Sequence, residues 1–405
     1  MAEPRLLVYT SVFPHAGQPN LGVFVRERMF RVGAHLPLVV VAPVPWFPLQ
    51  GLLRLWKPHF RPPAPRRELQ DGFEVYHPRF LSLPGLLKRW DGLSMALSSY
   101  RLARQLKARP GFDVIDAHFA YPDGYAATLL GRWLGVPVTI TLRGTEPSLA
   151  RFPARRRRVA MAMQRATRLF SVSDSLKRYA VTACGVPEGK VRVVGNGVDT
   201  QKFQPVDRSL ARAELGIASD ARVLVSVGGL VERKGFHRII DLLPALVRRH
   251  PGLLYLIVGG GGPEGDIGAR LRQQVATLGL ERRVRLLGPM PPERVKVPLS
   301  AADVFALATS NEGWANVFLE AMACGLPVVT TDVGGNREVV SDPRLGTVVP
   351  FGDGPAMLEA LEHALGHEWN RAGIIRHARE NAWDTRVEVL CAEFRQLTSP
   401  GRPVA

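Results

Sequence analysis

The sequence predicts an α/β protein built from two successive doubly wound units, each a parallel sheet with crossover helices. Three observations carry this expectation. The chain has 405 residues, more than one ordinary core employs. Short apolar runs alternate with helical patterns, which is the signature of parallel strands joined by helices. The alternation begins afresh after a turn-rich join running from Asn196-Gly197-Val198-Asp199 to Gln204-Pro205. Two units are therefore expected, 1–198 and 199–382, with a ligand crevice between them at the C-terminal ends of the strands.

In chain order, the apolar runs of the first half predict strands at Leu6–Tyr9, Leu38–Ala42, Val114–Ala117, Val138–Leu142, Leu169–Val172 and Val191–Val194. Helical patterns lie between them, at Phe24–Arg31, Met95–Lys107 and Tyr125–Leu134. The second half repeats the scheme with strands at Val223–Val227, Tyr255–Val258, Val284–Leu287, Val304–Ala308, Val328–Thr330 and Gly346–Val349. A C-terminal helix is expected over about 383–400. One stretch breaks the pattern. Pro43–Arg67 mixes prolines, aromatics, leucines and cations, with Pro45-Trp46-Phe47-Pro48 and Leu52-Leu53-Arg54-Leu55-Trp56-Lys57 in succession. Its prolines exclude a long helix. Its composition suits either a membrane interface or a loop folded over its own unit. Phe80–Trp90 continues this character through Leu86-Leu87-Lys88-Arg89-Trp90.

Bulk properties narrow the function classes. A hydrophobic content of 46% with 22% charged residues is that of a globular protein. No apolar run is long enough to span a bilayer. The N-terminal run Leu6-Leu7-Val8-Tyr9 is too short for a signal peptide and reads as a first strand. Cys184, Cys324 and Cys391 are odd in number and far apart, with neither metal-ligand nor disulfide spacing, so a reducing cytoplasm is expected. The net charge of +17 attracts polyanions, although an arginine-rich composition also follows from a GC-rich genome. No zinc-finger spacing, aromatic-basic RNA-binding string or repeat is present, and no nucleic-acid partner is expected.

The chemistry concentrates in Ser310-Asn311-Glu312-Gly313-Trp314-Ala315-Asn316-Val317-Phe318-Leu319-Glu320-Ala321-Met322-Ala323-Cys324-Gly325-Leu326-Pro327. An acid lies in a loop, a helix begins near Asn316 and Val317, and a second acid lies inside that helix. A helix start offers free N–H groups and positive dipole to a diphosphate. Carboxylates on either side can accept from pairs of sugar hydroxyls. A carboxylate near a helix start is also stabilising without any ligand. The full string resembles the E-x7-E signature of the family 4 retaining glycosyltransferases, including its Glu-Ala-Met-Ala-Cys-Gly-Leu-Pro continuation.

That resemblance implies a GT-B fold, two Rossmann-like domains facing a central cleft. The first would bind the acceptor and the second a nucleotide-diphosphate sugar, with the C-terminal helix crossing back to the first. Glu320 would take the ribose, and Glu312 the donor sugar beside Gly313. Gly228-Gly229-Leu230-Val231-Glu232-Arg233-Lys234-Gly235 resembles the phosphate loop, with Lys234 on the diphosphate and Arg233 assisting. Many relatives place an arginine where Gly229 stands, so the second cation is expected from Arg233. The base would rest near Arg285–Met290, beyond the Gly259–Gly262 strand end. In the first half, Gly22 would approach the donor phosphate and His118 would face substrate. Arg143 stands where relatives carry a histidine. Ser171–Ser175 and Asn196–Asp199 match structural landmarks of the family. The chain contains no Asp-x-Asp pair, which fits a metal-free site with no cofactor; the nucleotide sugar is a co-substrate. The implied reaction is hexosyl transfer with retention, from a UDP- or GDP-sugar to a lipid-linked or saccharide acceptor. Its setting would be bacterial glycan assembly, in the cytoplasm or peripherally on an anionic inner membrane surface. A sugar-nucleotide 2-epimerase of the same fold and a non-catalytic polyanion-binding protein are the alternatives.

Overall fold

A computed structural model describes residues 3–56, 60–109, 111–262 and 264–398. Lys57–His59 of the basic-aromatic stretch, Pro263 of the glycine loop and the last two residues of the expected C-terminal helix lie outside the described residues. The chain forms two compact units. Residues up to Gly195 together with those from Arg386 onward form the first, and Asn196–Thr385 form the second.

The first unit is built on β1 (Leu6–Tyr9), β2 (Leu38–Val41), β3 (Val44–Trp46), β4 (Arg67–Gln70), β5 (Phe73–Tyr76), β6 (Arg79–Leu81), β7 (Val114–His118), β8 (Val138–Leu142), β9 (Arg168–Ser171) and β10 (Val191–Val193). Eight of these make one sheet in the order β10-β9-β8-β7-β1-β2-β5-β4. All its pairings are parallel except β4 with β5. The central strands are buried on both faces, as their unbroken apolar sequences require. β4 and β5 form a hairpin that the apolar-run reading did not include. They turn at Asp71-Gly72, where φ is 49° and 86°. β3 and β6 pair separately in parallel, with Trp46 opposite Leu81.

The helix Trp383–Thr398 closes this unit from the far end of the chain. Val387, Leu390, Cys391 and Phe394 enter the core formed by Leu6, Val8, Val25 and Phe170. The Phe394 and Phe170 rings lie 5.5 Å apart, near perpendicular, a favourable aromatic geometry.

The second unit contains β11 (Val223–Val227), β12 (Leu254–Val258), β13 (Val284–Gly288), β14 (Val304–Leu307), β15 (Val328–Thr331) and β16 (Gly346–Val349). They form one parallel sheet in the order β13-β12-β11-β14-β15-β16. Val198 pairs with Ala382, joining the start of this unit to its last turn. There Gly197 is obligatory, because a Cβ would fall 2.6 Å from the Trp383 backbone. Among the described residues, no helix is long and apolar enough to cross a membrane. The three cysteines are buried free thiols.

Both sheets reverse direction at one point. In the second unit the chain winds from β11 toward β13, then returns to β14 on the other side of β11. In the first unit the reversal lies between β1 and β7. Diverging loops leave a crevice at such points, at the C-terminal strand ends.

Candidate active site

In the second unit, the loops after β11 and β14 meet at this reversal. β11 ends in Gly228-Gly229, followed by a single 3-10 turn at Glu232–Lys234 and the helix Phe236–Arg249. Gly259, after β12, permits the two strand ends to close. A Cβ there would lie 1.8 Å from the Gly228 carbonyl oxygen. Gly235 has φ 75°, and a Cβ on it would lie 2.0 Å from the Ala308 carbonyl oxygen. These contacts bring Arg233 and Lys234 against the β14 loop.

Glu312 is the centre of the cluster. Its side chain is 8% exposed, and Oε1 accepts from Lys234 Nζ at 2.7 Å and Arg233 Nη1 at 3.0 Å. Thr309 Oγ1 donates to the same oxygen at 3.1 Å. The backbone reinforces the arrangement, because Ser310 N donates to the Arg233 carbonyl at 2.9 Å. Arg233 Nη1 also donates to the Asn311 carbonyl at 2.9 Å. Gly334, at φ 54°, lies so close that a Cβ would fall 1.6 Å from the Glu312 carbonyl oxygen. Three loops thus hold one carboxylate and two cations in contact.

Arg233 has a second acidic partner that sequence reasoning missed. Its Nε and Nη2 donate to the two Glu264 carboxylate oxygens at 3.0 and 2.8 Å, a bidentate fork. The fork holds the Glu264 carboxyl below its usual range, against a smaller opposing effect of burial. Glu264 lies in the glycine loop after β12, 31 residues from Arg233, and no local spacing marks the pair.

The helix Asn316–Ala323 begins two residues beyond Trp314, and no side chain caps its start. Asn316 Oδ1 accepts from Asn196 Nδ2 at 2.9 Å. Glu320 follows one turn after Asn316 on the same helical face, half-buried. Phe318, Leu319 and Met322 bury the opposite face in the core. The Trp314 Nε1 is buried with no hydrogen-bond acceptor among the described residues. In the stretch expected to meet the base, the Arg285 side chain donates to the Leu215 carbonyl at 2.7 Å, and Gly260 lies beside Pro289.

The first unit places its candidates differently. Gly22 precedes the helix Val23–Gly33 with φ 68°, and a Cβ would lie 2.1 Å from the Val12 carbonyl oxygen. That contact alone requires glycine. His118, expected to face substrate, ends β7 and is 0% exposed. Its Nδ1 accepts from Arg143 Nη2 at 3.0 Å, so the ring proton sits on Nε2, 3.4 Å from Asp116 Oδ2. Burial, reinforced by Arg143 and Arg28, holds His118 well below the ordinary histidine range. Burial raises Asp116 to about 6, against the opposing bond from Thr139. Arg143 lies over the Phe24 ring at 5.1 Å. Glu146 collects the backbone N–H groups of Gly144, Arg143 and Ala120. These residues form a buried polar network that shapes the β7 and β8 loops. Ser173 caps the helix Asp174–Cys184 by accepting from Leu176 N.

Comparison with known proteins agrees with this architecture. The family model "Glycosyl transferases group 1" matches residues 207–381, and "Glycosyltransferase Family 4" matches 31–202. The chain is 31% identical over 329 residues to a D-inositol 3-phosphate glycosyltransferase of Acidothermus cellulolyticus, covering 76% of this chain and 73% of the relative. It is 32% identical over 355 residues to that of Actinosynnema mirum, covering 82% and 84%. A relative from Corynebacterium urealyticum with the same name is 34% identical, but the match spans only 52% of its length and 52% of this chain. Among solved structures, sucrose-phosphate synthase from Thermosynechococcus elongatus superposes with a TM-score of 0.76 at 20% identity, covering 98% of this chain and 99% of that one. Anabaena HepE in complex with UDP and glucose gives 0.71 at 20% identity, covering 98% and 100%. Both neighbours share the GT-B arrangement of two Rossmann-like domains.

Proposed function

We infer the reaction from the family, because this chain belongs to the family 4, group 1 glycosyltransferases. It is a sugar-transferring enzyme. The donor is a nucleotide-diphosphate sugar bound by the second unit, and the acceptor, lipid-linked or saccharide, is met by the first. UDP is the first nucleotide to test, since a structural neighbour binds it.

One observation carries this reading. Arg233, Lys234 and Glu312 form a preassembled ion cluster at the sheet reversal, next to an uncapped helix start. A diphosphate entering there takes over the two cations and the N–H groups near Asn316 and Val317. Gly228 and Gly229 leave room for it, since a Cβ at either meets nothing closer than 3.5 Å. Glu312, released from the cations, accepts from hydroxyls of the donor sugar. Glu320 accepts from the ribose. Trp314 Nε1 supplies a further donor in the loop between the two acids.

The leaving diphosphate is stabilised by Lys234 and Arg233 rather than by a bound metal. Transfer proceeds with retention and without a covalent enzyme intermediate. Glu312 serves hydroxyl recognition, and no enzymic nucleophile is assigned. His118 positions Arg143 through its Nδ1.

The test is transfer itself. Purified enzyme is given UDP- and GDP-sugars, with and without a bacterial lipid extract, in buffer containing EDTA. Release of diphosphate with a new α-linked product, seen only when acceptor is present, is expected. Conversion of the donor sugar without acceptor would identify an epimerase instead.

A further inference from the structure

The first unit exposes an apolar face that its own fold does not cover. The helix Gln50–Trp56 buries only Gln50. Leu55 is 77% and Trp56 88% exposed, and the adjoining Leu49 is 75% exposed. Leu49 and Trp56, with Phe47, Pro48, Leu52 and Leu53, line a shallow hollow of about 450 Å³. A loop folded over its own unit would hide such side chains; this one presents them.

The surrounding contacts extend the face and give it a charge. Arg61 binds the Ser82 carbonyl at 2.7 Å, and Lys88 binds Ser82 Oγ at 2.7 Å. Arg54 of the helix donates to the Phe60 carbonyl at 3.3 Å, beside Arg61, and Ser82 follows β6, so the helix, the β3–β6 pair and the turn Lys88–Trp90 are tied together. Leu86 and Leu87, just before that turn, are 65% and 59% exposed. Arg89 and Arg158 both lie over the Trp90 ring, at 5.7 and 5.5 Å. Arg158 brings in the helix Pro153–Arg165, with its run of four arginines, and Arg155 covers Phe152 at 4.8 Å. Arg156 and Arg157 on the same helix are exposed.

We propose that this face docks the enzyme on an anionic lipid bilayer. Leu49, Leu55, Trp56 and Trp90 enter the headgroup–acyl boundary, and Arg89 with the Arg155–Arg158 run meets lipid phosphates. A second copy of this chain is a poorer occupant, because it would present the same arginines from a molecule of net charge +17. A free polyanion has no use for the exposed leucines. The inference deepens the proposed reaction by naming the surface from which a lipid-linked acceptor is reached. Its test contains neither donor nor acceptor, so the two readings fail separately.

The full chain is sedimented with phosphatidylcholine vesicles, with and without phosphatidylglycerol. Binding that requires phosphatidylglycerol and weakens with salt is expected. The double variant Leu55→Ser, Trp56→Ser should lose at least about tenfold in vesicle affinity, and so should Arg156→Glu, Arg157→Glu. Both pairs are exposed, and an unchanged unfolding temperature shows that the fold survives. Wild-type affinity in either variant, or no binding by the wild type, would overturn the proposal. A dimer that dissociates in the Leu55→Ser, Trp56→Ser variant would identify the face as a contact between copies and overturn it too.

Discussion

At Glu312, one carboxylate oxygen receives Lys234, Arg233 and Thr309 together. A carboxylate so held is positioned before the donor arrives. Glu312→Ala should therefore lower kcat by about a hundredfold while changing donor KM little, as loss of an interaction realised mainly in the transition state does. A wild-type kcat would remove Glu312 from the mechanism. Glu320→Ala should act on binding, raising donor KM about tenfold through the loss of charge-assisted hydrogen bonds. Glu264 works in the opposite direction. Its fork on Arg233 competes with the diphosphate, so Glu264→Gln should lower donor KM by a few-fold, a modest change because the Glu264 side chain is 55% exposed. A raised KM would instead make Glu264 a residue that positions Arg233. The Glu264 pairing was illegible in sequence, since it crosses two strand-end loops. Glu312 and Lys234 were legible because each sits in a motif with a resemblance behind it.

The elements of the fold were largely legible where apolar runs were long. Strands buried on both faces, such as Val138–Leu142 and Val223–Val227, announce themselves by composition. The hairpin of β4 and β5 did not, because Arg67-Glu68-Leu69-Gln70 is an edge strand with one face in water. Its Asp71-Gly72 turn was the readable signal, since paired positive φ values call for such a dipeptide. His118 shows a related limit of local reading. A strand end at the sheet reversal suggests a ligand, but whether the ring faces outward depends on Arg143, 25 residues away. The glycine turn after β15 makes a prediction at this scale. Gly334→Ala places a Cβ against the Glu312 backbone at a positive φ, so about 1–3 kcal/mol of stability should be lost together with activity. Denaturant unfolding and turnover on the same preparation check this, and an active variant of wild-type stability would contradict the geometry.

On the scale of the molecule, the chain starts in one unit, builds the other, and returns to the first. Phe394 is fully buried in the first core, though it lies near the end of the sequence. Phe394→Ala should cost about 3–5 kcal/mol there. Unfolding followed by probes in each unit should show the first destabilised, while the second binds diphosphate with unchanged affinity. Equal loss in both units would show that they fold as one. The division of labour proposed for the two units leads to the most direct measurement, thermal unfolding in the presence of UDP, GDP, ADP and CMP, each with and without EDTA. The account predicts that one diphosphate stabilises the protein, by about 2.7 kcal/mol at a hundredfold excess over Kd. That stabilisation should persist in EDTA and weaken in Glu320→Ala. Stabilisation by none of the nucleotides, or stabilisation that EDTA abolishes, would contradict a preassembled, metal-free diphosphate site.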